Sequence, residues 1–333
     1  MPATPELTIR SVEFRRERES SWRELEQLIE LVESHGVSSL NSDELERFPL
    51  LYRSALSSLS VARAIALDRA LVAYLDNLAV RAFLAMYGQP LDPLRAASHF
   101  IRAGFPQAVR TLWRHVAIAL FVFLMGLASG FLLLRSNEPY WFAMLVPSDL
   151  AGPRTPASTA ADLHHVMVAP VAYNLVDAIG NALFAHNTYV ALLVFGLGFL
   201  GGIPTILLTL HQGLILGAFL ELHVRHGLGL EFTGWVSIHG VTEIIAFLLF
   251  AAAGLRLGEI LIFSKDLSRV DAFAINGPVV AKVATGAGAM LLVAAVIEGY
   301  FRQAIQNTDW RLAIASATLV LWVGYLSLCG RRE

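Results

Sequence analysis

Five long apolar runs dominate the chain, near residues 113–134, 187–209, 235–255, 279–300 and 310–328. Each is close to the roughly 20 residues that a helix needs to cross the hydrocarbon of a bilayer. No water satisfies the backbone there, so such runs fold as helices whose amides and carbonyls bond to one another. An all-α polytopic bundle follows. Composition agrees, since 56% of the 333 residues are hydrophobic and only 16% are charged, well outside the range of a soluble domain. A lone cysteine, Cys329, excludes an intramolecular disulfide or a cysteine-built zinc site and reads as a space-filler. The first 30 residues carry no apolar signal-peptide core, so the first span is expected to direct insertion.

A sixth run, "LILGAFLELHVRHGLGL" at 214–230, is short and impure. Charge decides whether it crosses. Fourteen of the 25 basic residues lie between Arg10 and Arg114. If the run crosses, Arg256, Lys265 and Arg269 fall on the same side as that basic segment, which is the distribution the positive-inside rule favours. The expectation is about six spans, both termini cytoplasmic, and an external loop over 135–186. Within that loop "MVAPVAYNLVDAIGNALFAHN" is amphipathic and either lies on the outer surface or re-enters. Pro204 is expected to kink or interrupt the second span, freeing a carbonyl that Thr205 or Thr209 could satisfy.

Residues 1–92 read as a cytoplasmic helical domain too polar to span, docked on the membrane part or on a second copy. Trp22, Leu25, Leu28, Ile29 and Val32 recur at helical spacing, and Gly36 stands where a C-cap belongs. A second helix begins at Asn41, with Glu44 completing a capping box, and a break is expected near Ser57 to Ser60. Residues 93–112 interleave Arg95, Arg102 and Arg110 with Phe100 and Phe105, which suits a basic helix at the headgroup level. The bundle proper is expected over 113–330. Three G-x-x-x-G pairs, Gly126 with Gly130, Gly213 with Gly217 and Gly254 with Gly258, let backbones approach closely, within the chain or in a homodimer.

The residues that need explaining are polar ones in oil. His239 and Glu243 share a helix face, being four apart. Glu298 interrupts "AAVIEGYF", and Glu221, His223 and His226 crowd the end of the sixth run. A charge at mid-bilayer costs on the order of 3 kcal/mol on insertion scales, so such groups face inward and pair. A structural polar network is one reading. A zinc ion held by His223, His226, His239 and Glu243 is another, with Glu243 or Glu298 as general base of an intramembrane hydrolase, although no H-E-x-x-H signature occurs. A solute or ion path is the third. Nothing suggests a nucleic-acid partner.

"FRRERESSWRELEQLIE", "SSLNSDELERFPLLYRSALSSLSVARA", "YLDNLAVRAFLAMYG", "VALLVFGLGFLGGIPTILLTLHQGLILGAF" and "HGVTEIIAFLLFAAAGLRLG", in that order, resemble the stage II sporulation protein M family of bacterial integral membrane proteins. The resemblance runs over nearly the whole chain. Family members favour Asn-Asn where this chain has His186-Asn187 and Asn-Gly where it has Gln212-Gly213. The resemblance implies a multi-pass protein of the bacterial inner membrane, non-enzymatic, acting as a scaffold or assembly factor for envelope proteins such as cell-wall hydrolases.

Overall fold

The computed structural model describes residues 5–64, 69–87, 93–136, 140–169, 182–264, 268–301 and 304–331. The described residues form helices and turns and no strand. The chain divides into two compact units, residues 1–96 and 97–333.

The first unit packs three helices: α1 (Pro5–His35), α2 (Ser42–Ala64) and α3 (Arg69–Tyr87). Helix α1 ends at Gly36, whose φ of +81° suits a residue without Cβ. Asn41 and Glu44 cap α2 reciprocally, each side chain accepting from the other's backbone N–H at 2.9 Å. Trp22, Leu25, Leu28, Ile29 and Val32 meet Ala55, Leu59, Leu75 and Leu78 in one core. The break expected at Ser57–Ser60 does not form, and α2 runs through these residues. Ser58 stays helical because it donates back to Ser54 O at 2.8 Å and accepts from the indole of buried Trp22. Helix α3 departs from expectation as well, because by length and composition it is apolar enough to cross a membrane. Its buried face carries Leu71, Leu75, Leu78, Ala79 and Ala82, while Arg81 reaches Glu33 on α1.

The boundary between the units falls within α4 (Pro93–His99), which leads into a π-helical turn (Phe100–Gly104) and α5 (Phe105–Thr111). Arg95 and Arg102 of this basic stretch are exposed. Arg110 instead donates to Leu326 O at 2.9 Å and Cys329 O at 2.7 Å, and Gln107 to Gly330 O at 2.8 Å. The stretch is therefore strapped to the end of the last helix. Phe105 lies against Gly286, where a Cβ would fall 2.2 Å from its ring.

Helix α6 (Trp113–Arg135) leads to three short helices, α7 (Tyr140–Leu145), α8 (Ser148–Ala151) and α9 (Ala160–Val168). These three form a cap. Phe142, Leu145, Leu163 and Met167 join Phe219, Leu222, Phe232 and Trp235 in one apolar cluster. The greater part of the amphipathic stretch at 167–187 lies outside the described residues.

The rest is α10 (Ala182–Gly196), α11 (Ile203–Arg225), α12 (Gly229–Ile262), α13 (Arg269–Phe301) and α14 (Thr308–Leu328). Among the described residues six helices are long and apolar enough to cross a membrane, namely α3, α6, α11, α12, α13 and α14, and α10 is a shorter apolar one. The expected span 187–209 is thus not one helix. Gly201 and Gly202 take φ of +76° and +78°, conformations that end a helix, and a 3-10 turn at Leu197–Leu200 precedes them. Pro204 falls in the first turn of α11, where its missing N–H costs nothing, so the span is interrupted just before it, as expected, and the proline starts a helix rather than kinking one. Thr205 donates to Val194 O across this turn at 2.8 Å. The short run at 214–230 becomes the second half of α11 and the turn after it. Helices α12 and α13 also run past the apolar limits read from sequence, so the charged segment from Arg256 to Lys282 is mostly helical.

Candidate functional site

Glycines set the frame. A Cβ on Gly126 would lie 2.2 Å from Leu210 O, one on Gly130 2.1 Å from Leu214 O, and ones on Gly213 and Gly217 2.2 and 2.0 Å from Phe123 O and Leu127 O. Positions rise together along both chains, so α6 and α11 run parallel in near backbone contact. The device recurs where the turn after α10 meets α12. A Cβ on Gly198 would lie 2.2 Å from Gly254 O, and one on Gly258 2.5 Å from Gly202 N. All three G-x-x-x-G pairs are thereby used inside the chain, and a dimer would need another face.

Between these pairs, beneath the cap, lies a cavity of about 190 Å³. Helix α12 contributes His239 and Glu243, α13 contributes Glu298, α10 Asn187, α11 Gln212 and the cap Arg154. His239 and Glu298 are 7% and 5% exposed. The Asn187 amide donates to Glu243 Oε2 at 3.1 Å, so a neutral donor holds one carboxylate in place across two helices. One residue before Glu243, Thr242 accepts from the indole of Trp322 at 3.1 Å and ties α12 to α14. Phe219, Phe232 and Trp235 supply aromatic walls.

Other members of the expected polar cluster lie elsewhere. His223 Nδ1 donates to Phe219 O at 2.7 Å, and its ring stacks on Phe232 at 4.0 Å. His226 Nδ1 donates to Leu222 O at 2.8 Å. Both imidazoles thus bond to carbonyls of the last turns of their own helix. Glu221 pairs with Arg225 at 3.6 Å, and Arg225 donates to Leu134 O at the end of α6. These three residues do not line the cavity. The grouping of His223, His226, His239 and Glu243 around zinc is therefore not assembled: among the described residues no three His, Cys, Asp or Glu side chains gather as metal ligands would.

A second network, unmarked in the sequence, stands at the far end of α12. Glu259 receives Arg256 and lies 2.9 Å from His115 Nε2 of α6, while Arg256 donates to Asn276 of α13 at 2.6 Å. Each of these residues reads singly as a solvated flanking charge. Only the folded arrangement brings residues 144 positions apart together.

Fold and site define a class: a polytopic α-helical membrane protein with polar residues lining a cavity beneath its cap. Residues 119–302 match the family of stage II sporulation protein M, and the chain belongs to that family. Residues 12–88 match a different family, a domain of unknown function, DUF8413. The family match is accordingly narrower than the resemblance read along the chain, which began in the first helix. No curated protein and no solved structure matches.

Proposed function

We propose that this chain is an envelope scaffold of the bacterial inner membrane, with both termini cytoplasmic and the cap outside, working through protein partners held on the cap. The observation that favours this reading is the cap itself. Helices α7 to α9 are seated by Phe142, Leu145, Leu163 and Met167 on the ends of α11 and α12, which makes a preformed platform rather than a slack loop. Arg311, 2% exposed, reinforces it by donating to Met167 O. Preformed surfaces lose less entropy on binding. Cell-wall hydrolases are the partners that family membership suggests.

The test is co-purification of a co-expressed cell-wall hydrolase with the full chain, compared with a Leu163→Asp variant that unseats the cap. Retention by the parent and loss in a variant that still inserts would support the reading. Equal retention by both, or by neither, would contradict it. The cavity favours a second reading, a solute site using Glu243 and Glu298. For this reading, flux into vesicles that depends on Glu243 is the discriminating measurement.

A further inference from the structure

We propose that the cavity binds a small organic cation bearing a guanidinium or primary amine, and that the cap residue Arg154 is its built-in occupant. The inference goes beyond the scaffold reading and stands without it.

Size comes first. A cavity of about 190 Å³ exceeds the 150 Å³ or so that accommodates benzene in an engineered protein core, so a molecule of several heavy atoms fits. Charge comes next. Two carboxylates, Glu243 and Glu298, line the space from different helices, and Asn187 fixes the first by donating to it. A pair of carboxylates disfavours an anion. Aromatic side chains, Phe219, Phe232 and Trp235 among them, share the rest of the wall with aliphatic ones. Aromatic faces combined with carboxylates recognise organic cations through the ring quadrupole and charged hydrogen bonds. A bare divalent ion would instead ask for an oxygen cage.

An independent observation points the same way. The Arg154 guanidinium already lies over the Phe219 ring, 4.4 Å from its centre, at a position that lines the cavity. It is steadied there by donating to Leu150 O at 2.6 Å and Ala151 O at 3.2 Å. The cap thus places a guanidinium on the cavity's aromatic wall, as a diffusible ligand would place its own. A ligand that enters displaces Arg154, and with it the hold of the cap on α11.

The experiment titrates the purified full chain in detergent with ethylguanidinium, ethylammonium and the neutral isostere ethylurea, read by calorimetry and by tryptophan fluorescence. Saturable binding of the two cations is expected, with ethylurea weaker by about tenfold or more. Arg154→Ala should tighten ethylguanidinium binding by about tenfold, because an internal competitor is gone. Glu298→Gln should weaken it by at least as much. If Glu298→Gln does not fold, the ratio of ethylguanidinium to ethylurea affinity in the parent and in Arg154→Ala decides alone. Absence of saturable cation binding in both proteins overturns the proposal, as does ethylurea binding equally well or Arg154→Ala leaving affinity unchanged.

Discussion

Asn187 and Glu243 carry the argument at the scale of residues. A carboxylate in oil is tolerated when donors surround it, and an amide from a neighbouring helix costs less to bury than a second charge. Asn187→Ala should therefore destabilise the folded chain by about 1–3 kcal/mol, the range for losing a hydrogen bond that a carboxylate accepts, seen as a lower Tm in detergent. In the first unit, Arg81 donates to both oxygens of Glu33 and holds that carboxyl below the usual carboxylate range. A lowered folded-state value means that the contact stabilises at neutral pH and fades as the pH drops through the carboxylate range. Hydrogen exchange in α3 should be faster in Arg81→Gln than in the parent at pH 7, with the difference vanishing in acid. His239, Glu243 and Glu298 stood out in the sequence because they contrast with oily neighbours. Asn187, Gln212 and Arg154 did not, since neutral amides and a loop arginine gain meaning only from what folds against them.

At the scale of elements, the same construction is used twice, with α6 on α11 and with the turn after α10 on α12, each contact made by glycines four apart. Gly213→Ala would force a carbon to within 2.2 Å of Phe123 O, so the helices must separate. A loss of about 1–3 kcal/mol, the scale of overpacking, is expected, whereas Gly324→Ala, with nothing within 4 Å of the added carbon, should hold or raise Tm, because alanine is the better helix former. Legibility differed sharply among these elements. The apolar runs and glycine spacings marked α6, α12, α13 and α14 because hydropathy reports burial in lipid or protein alike. The boundary between α10 and α11 was misread for the same reason: hydropathy passes straight through Gly201-Gly202, and only their left-handed backbone together with Pro204 reverses the chain. The far-end network of His115, Arg256, Glu259 and Asn276 stayed hidden because charges near a span's end are the ordinary expectation.

At the scale of the molecule, the bundle gathers polar groups at two levels, one beneath the cap and one at the opposite end of α12. Between them, glycine contacts let neighbouring backbones lie almost touching. Such a framework is stiff where helices interlock, whereas the cap is held mainly by side-chain packing and the Arg311 hydrogen bond. Leu163→Asp should accordingly expose the cap to protease while fragments of α11 and α12 stay protected. The pairing of α10 with α12 through Asn187 and Glu243 forms one wall of the cavity, and the cation site depends on it. A double-mutant cycle on Asn187→Ala and Glu243→Gln, read by SDS unfolding in mixed micelles, measures it directly. A coupling of about 1–2 kcal/mol is predicted for two side chains in contact, and strictly additive effects, as for residues that never meet, would contradict the account.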